Sequence, residues 1–373
     1  MKKIFFISLL FLGFNLKANT PNSHVENKNP KIQIALLLDV SNSMDGLIDQ
    51  AKAQLWKIVN ELADMQQNGQ YAQIEIALYT FGDDRLREQD GYIQSWTSFT
   101  NELDEISKHL FALTTSGGDE YCGWTIQEAV ESLDWSGKYT DLQMIVIAGN
   151  ESFAQGAINY IQSCEKAVQN HVIINTIYCG HCPDGTRLFW EDAADRAQGK
   201  YMCIDQNEEV IHIPTPYDSL IQVKNKGLNA TYLGYGRVGQ SKKAMQMAMD
   251  EEAEAYDNAY MTERAVSKAS RAYTNASWDL LDAYKDDPEK ILQLKQDELP
   301  EELKGLNHKE KKAFIEKLQS DRKNIKAEIS ALALKRNQYI EEYKDNVLPE
   351  SKGLEAAMLG IIRNQAKEKG FTK

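Results

Sequence analysis

Residues 32–44 read IQIALLLDVSNSM. An almost unbroken apolar run, the length of a buried strand, stops at Asp39, and two serines follow at alternate positions, Ser41 and Ser43. A strand this apolar belongs where both faces of a sheet are covered, as in parallel sheets flanked by helices. A helical pattern begins at once, over residues 44–67. One carboxylate and two hydroxyls therefore lie in the turn between a buried strand and a helix. Open α/β sheets bind their ligands there, in the crevice beyond the carboxyl ends of the strands. Oxygen donors of this kind suit a hard cation such as magnesium, which retains waters and leaves coordination positions open.

Outward from this stretch, strand candidates at 72–81, 142–149, 171–179 and 199–204 alternate with helix candidates near 100–112, 124–134, 155–170 and 187–197. The alternation predicts an α/β fold with a doubly wound, mostly parallel sheet. Residues 72–81 alternate polar and apolar more than the others, and GYIQSW follows at 91–96, so an antiparallel hairpin is expected at one edge. Beyond GYGRVGQ at 234–240 the character changes. No Gly or Pro occurs from Ser241 to Asp287, which predicts one long helix. A second helix is expected from about Lys309 to Val347, its apolar stripe running through Phe314, Leu318, Ile325, Ile329 and Leu332. The expected division is an α/β domain over 31–238 and an α-helical hairpin or bundle over 239–373. That helical region packs on itself or on the sheet, or alternatively serves as an oligomerising or partner-binding arm.

Lys2 and Lys3 precede an apolar run over residues 4–14, the pattern of a signal peptide ending near residue 18. Residues 19–30 are polar, carry two prolines, and read as a disordered leader. No later segment is apolar enough to span a bilayer, so the expected location is periplasmic or secreted, with no integral membrane span. Charge is unevenly distributed. Residues 19–238 hold 30 acidic and 15 basic side chains, whereas 239–373 hold 25 and 24. The acidic first part argues against a nucleic-acid partner, which requires clustered Lys and Arg.

Asp39-x-Ser41-x-Ser43 after an apolar strand resembles the metal-ion-dependent adhesion site (MIDAS) of von Willebrand factor A (vWA) domains. The resemblance continues through IALYTFGDD at 76–84, TTSGGDEYCGWTIQEAV at 114–130 and MIVIAGNESF at 144–153. It implies a vWA-like fold, one bound Mg2+ (or Ca2+ or Mn2+), and docking of an acidic group of a protein partner rather than catalysis. The family usually adds a Thr from the second loop and an Asp after the fourth strand. Here Asp119 stands as the second-loop ligand, with Thr115 as the alternative. Gly149 occupies the Asp position, and Asn150 or Glu151 is expected to act directly or through water. A metal-free scaffold working through its helices is the competing reading.

The five cysteines are Cys122, Cys164, Cys179, Cys182 and Cys203. In an exported chain disulfides are expected, with connectivity left open. Cys179-Gly180-His181-Cys182 is also the dithiol sequence of protein disulfide isomerases, so a thiol–disulfide oxidoreductase is the enzymatic alternative. Zinc ligation involving Cys203, His181 and Cys164 is a weaker one. No hydrolase or nucleotide-binding signature is present. Trp124, Trp135, Trp190 and Trp278 read as core anchors.

Overall fold

The computed structural model describes residues 29–205, 213–347 and 354–373, so the expected signal peptide and nearly all of the leader lie outside the described residues. Strand β1 (Lys31–Asp39) leads into helix α1 (Asp45–Leu62), a small hairpin of β2 (Gln66–Gln67) and β3 (Gln70–Tyr71), and β4 (Gln73–Phe81). Then come β5 (Gln94–Thr100), α2 (Leu103–Ala112), α3 (Cys122–Ser132), β6 (Leu142–Gly149), α4 (Tyr160–Gln169) and β7 (Ile173–Cys179). The α/β part closes with α5 (Cys182–Arg187), α6 (Trp190–Arg196) and β8 (Tyr201–Ile204). The main sheet has the order β5-β4-β1-β6-β7-β8. All its pairings are parallel except the edge pair β4–β5, which is antiparallel and irregular in register. The doubly wound sheet and the edge hairpin expected from the sequence are both present.

The chain builds from β1 to β4 and β5 on one side, then returns to the other side of β1 at β6. That reversal leaves a crevice at the carboxyl ends of β1 and β6, with Asp39 on its central strand. The period of two along β1 divides its side chains between two cores. Ile32, Ile34, Leu36 and Leu38 join Trp56 and Val59 of α1 and Ile106 of α2. Ala35 and Leu37 join Ile126 of α3, Cys164 of α4 and Trp190 of α6.

The C-terminal part comprises α7 (Asp218–Asn229), α8 (Gly236–Tyr256), α9 (Asn258–Ala269), α10 (Leu280–Asp286), α11 (Pro288–Leu292), α12 (His308–Val347) and α13 (Leu354–Glu368). The single helix expected over 241–287 is not formed. Asp257 is extended and its carboxylate accepts hydrogen bonds from the backbone N–H groups of Ala259 and Tyr260, ending α8 and starting α9. A second break follows Ala269, and Asp279 caps α10 by accepting from Asp282 N–H. An aspartate that serves as an N-cap punctuates a helix without any Gly or Pro. The second long helix is present as α12, 40 residues and about 60 Å long. It runs antiparallel along α7, with Arg322 bonded to Thr231, Glu328 paired to Lys224 and Arg336 to Asp218. Among the described residues no helix is long and apolar enough to cross a membrane.

These helices share the core of the sheet. Tyr260, Ala265, Ile329, Ile362 and Phe371 belong to the cluster that covers the α1 face. Arg264 of α9, fully buried, donates from Nη1 to Asp104 of α2 (2.6 Å) and from Nε to Asp250 of α8 (2.7 Å), while its guanidinium lies 4.9 Å from the Trp56 ring of α1. Lys268 Nζ completes the network on Asp250 at 2.7 Å. The last helix returns to the sheet: Asn175 of β7 and Gln365 of α13 exchange two buried amide hydrogen bonds (2.9 and 2.7 Å), and Arg363 grips Glu61 of α1 through two 2.7 Å bonds.

Two stability predictions follow from this packing. Replacing Arg264 by Ala leaves buried Asp104 without a counter-charge and Asp250 with Lys268 alone, and should cost about 3–5 kcal/mol, read as a lowered urea midpoint. Burial works to raise the pKa of Glu61, but hydrogen bonds from Arg363 and Lys373 overcome it and hold the carboxyl below its usual range. A depressed carboxylate stabilises the fold above its unfolded pKa and loses that contribution as pH falls through the folded value. Thermal melts through the acid range should therefore fall off less steeply in Glu61→Gln than in the native chain.

Candidate metal centre

Asp39 ends the central strand and is completely buried. Its Oδ1 accepts the N–H of Ser41 at 2.7 Å, folding the chain back over the strand end. The turn is held from both sides: Val40 N–H donates to Phe81 O of β4, and Ser116 N–H donates to Val40 O. Residues Asn42–Met44 form a short 3-10 turn before α1, which brings the Ser41 and Ser43 hydroxyls within 3.2 Å of each other. Asn150, just past β6, donates to Ser43 Oγ at 3.0 Å. Asp39, Ser41, Ser43 and Asn150 therefore gather around one point at the mouth of the crevice.

The second loop contributes a different acid from the one expected. Asp119 is exposed, its carboxylate near the Tyr121 hydroxyl at 3.4 Å. Glu120 is the buried one, and it lies against Asp39. The reason is the close approach of two loops: a Cβ on Gly118 would sit 2.7 Å from Gly82 O, so the backbone there packs on backbone and the next carboxyl but one turns inward. Asp119 is the acid expected from the sequence, and its neighbour Glu120 is the one this contact between loops brings against Asp39. Thr115 is placed one step aside, donating to Asp45 at 2.6 Å. Glu151 is exposed, but its N–H donates to Glu120 Oε2 at 3.3 Å. Gly149 holds no ligand and makes room for one, since a Cβ there would lie 3.1 Å from Asp39 Oδ2 and from the Trp190 ring.

Electrostatics sets the chemistry. Burial, and then the charge of Asp39, push the Glu120 carboxyl up to about 10, and burial raises Asp39 too. Two buried carboxyls this close cannot both be charged without a counter-charge. Asp39 Oδ2 is buried with no partner besides the Glu120 carboxyl, which donates to it only while protonated. Asn150 Oδ1 is likewise buried and unpartnered. A hard divalent cation answers both needs, and an all-oxygen set of two carboxylates, two hydroxyls and an amide suits it. Among the described residues no cluster of three or more His, Cys, Asp or Glu side chains is arranged to hold a metal, so hydroxyl and amide oxygens must complete any such set.

The cysteines stand apart from this chemistry. Cys182, at the start of α5, is disulfide-bonded to Cys203 of β8, with their Cα atoms 5.3 Å apart. Cys179 is buried in β7 and is not the partner of Cys182, and burial raises its thiol pKa well above the ordinary value. A buried, protonated thiol is a poor nucleophile, and Cys179 and Cys182 do not form the dithiol pair that an oxidoreductase needs. Cys122 and Cys164 are also buried free thiols, Cys164 in the core below α6, so neither they nor Cys203 complete a zinc site.

No family model matches the chain, and no curated protein matches it. Solved structures similar to it over about half its length include proteins described as vWA domains. The conserved hypothetical protein BatB from Bacteroides thetaiotaomicron is 14% identical, covering 47% of this chain and 90% of that one, with a TM-score of 0.37. The SpRpn10 VWA domain is 18% identical, covering 48% and 90%, with a TM-score of 0.36. Proximal thread matrix protein 1 from the mussel byssus, in a structure with a zinc-occupied MIDAS motif, is 12% identical, covering 47% and 42%, with a TM-score of 0.36. Likeness at this level carries no argument about function. The strand order and register themselves define the fold, a vWA-like doubly wound sheet continued by a helical C-terminal part.

Gly82 offers a clean test of the geometry. It has a φ of 82°, and a Cβ there would sit 2.9 Å from Asp39 Oδ1 and 3.2 Å from Glu120 Cγ. Gly82→Ala should cost about 1–3 kcal/mol through strain and overpacking, and should weaken divalent-cation binding by displacing Asp39. Denaturant melts and a magnesium titration of the same variant check both effects.

Proposed function

We propose that the chain is an exported protein-docking module that uses a divalent cation at the Asp39 centre to bind an acidic group of a partner protein. The observation that carries this reading is the buried Asp39–Glu120 carboxyl pair, with the unpartnered Asn150 Oδ1 beside it, at the topological switch point of the sheet. Asp39 and Glu120 supply negative charge, and Ser41 and Ser43 supply neutral oxygens from a turn locked by Phe81 and Ser116. Asn150 orients Ser43 and adds an amide oxygen. A magnesium, calcium or manganese ion held by these residues would supply the Lewis acidity that binds a carboxylate from outside. Hydroxyl donors keep the protein's own negative charge low, so such a carboxylate is not repelled by a fully anionic cage. Export is supported by the basic and apolar start of the chain and by the Cys182–Cys203 disulfide, which persists in oxidising compartments.

Calorimetric titration of magnesium, then calcium, into the chelator-stripped protein should give one saturable site, lost in Asp39→Ala with the fold retained by circular dichroism. Equal heats in the two proteins would overturn the assignment and leave a metal-free scaffold acting through its helices.

A further inference from the structure

Three aromatic rings stand beside the metal centre on the same end of the sheet. Tyr121 directly follows Glu120 and precedes α3, its ring centroid 5.6 Å from that of Tyr92 and 6.3 Å from that of Trp124, with the Trp124 plane parallel to it. All three are half-buried, so Trp124 is not the core anchor expected from the sequence. Two glycines hold the rings in place. A Cβ on Gly91 would meet the Trp124 ring at 2.8 Å, and one on Gly156 would meet the Tyr121 ring at 2.7 Å. Both glycines have positive φ, at 71° and 87°, so the loops after β4 and β6 close against the rings in a conformation few other residues adopt.

The charge around this shelf is one-sided. The nearby arginines are already engaged, Arg85 by Asp83 and Arg87 by Asp90. Asp84, Glu88 and Asp119 form no ion pair among the described residues; Asp84 accepts from the Ser116 hydroxyl, and Asp119 lies by the Tyr121 hydroxyl. Glu88 and Asp119 lie close enough to both Tyr92 and Tyr121 for their charges to act on the rings, and Asp84 is near Tyr92. Covering such a surface with an apolar group would desolvate three carboxylates without compensation. A cation both neutralises the carboxylates and is attracted to the ring faces.

We infer that the Tyr92–Tyr121–Trp124 shelf is a second docking subsite that takes an arginine or lysine side chain of the same partner segment whose acidic group meets the metal centre. The pairing of the two subsites rests on the metal-dependent reading above, whereas the shelf's preference for a cation does not. A partner segment with an acid and a base a few residues apart would set its base on the negative shelf and its acid at the centre, whose two carboxylates a divalent cation would neutralise. Such complementarity discriminates among partners more than it adds raw affinity.

Two measurements test this separately. In EDTA, N-acetylarginine amide is titrated into the full chain while the Trp124 indole N–H resonance is followed by NMR, assigned with Trp124→Phe. In magnesium, two synthetic Gly/Ser peptides are compared, each with one Glu and, three residues on, either Arg or norleucine. The expected results are a saturable Trp124 shift with the arginine amide but not its norleucine analogue, and about tenfold tighter binding of the Arg peptide, the scale of one cation–π contact with partial desolvation. Combining Tyr92→Ala with Glu88→Gln should remove both effects and leave magnesium affinity unchanged. No Trp124 shift together with equal peptide affinities would overturn the subsite, while an intact magnesium titration would leave the metal centre standing. A Trp124 shift in a chain that binds no magnesium would support the cation shelf and sink the metal-dependent reading instead.

Discussion

Two carboxyl groups, Asp39 and Glu120, are buried together at the end of the central strand, and much of the molecule's upper surface is arranged around that arrangement. Both are buried, so their charge must be met by a shared proton or a bound cation. The loops around them are correspondingly tight. A Cβ on Gly82 would collide with Asp39, one on Gly149 would press tightly on it, and Gly118 brings the second loop down on the first. Ser41, Ser43 and Asn150 supply neutral polar groups beside the acids. The departure from the usual family pattern at Gly149 is thus compensated sterically: where an aspartate would stand, Trp190 packs instead, donating its indole N–H to Glu151 O at 2.7 Å.

The helical C-terminal part bears on the site indirectly, through the face of the sheet it covers. Helix α1 starts from the Ser41–Ser43 turn, and its Trp56 lies under Arg264 of α9, while its Glu61 is held by Arg363 of α13. The helix that follows the candidate metal loop is therefore clamped at its middle and its end by segments two hundred or more residues later. Ion pairs buried in this way are costly to break, because removing one partner leaves an uncompensated charge. A rigid α1 keeps the two hydroxyls of the turn in register with Asp39, which is the preorganisation that a binding centre of small, weak donors requires.

On the other side, α3, α4 and α6 form the second layer, and the Cys182–Cys203 disulfide ties the start of α5 to the edge strand β8. The link sits away from Asp39 and protects a short edge. Cys179, three residues before Cys182, is instead part of the core wall, which is why the same CGHC text yields a structural link and not a reactive dithiol.

Much of this was legible in the order of residues alone. The apolar run from Ile32 to Leu38, the acid at its end and the alternating serines determine a buried strand, a turn and an oxygen-rich loop, because burial on two faces and local hydrogen bonding are properties of near neighbours in the chain. The antiparallel edge and the long helix α12 follow from periodicity in the same way. Tertiary structure alone decided the rest. It chose Glu120 over Asp119 through a backbone contact between loops some 35 residues apart. It broke the breaker-free stretch after Ser241 at Asp257, where capping was favoured by the packing of α9 on α1. It also paired Cys182 with Cys203 and left Trp124 half-buried, outside the core. Each of these outcomes depends on which distant segments meet, and periodicity and spacing describe only how a segment relates to itself.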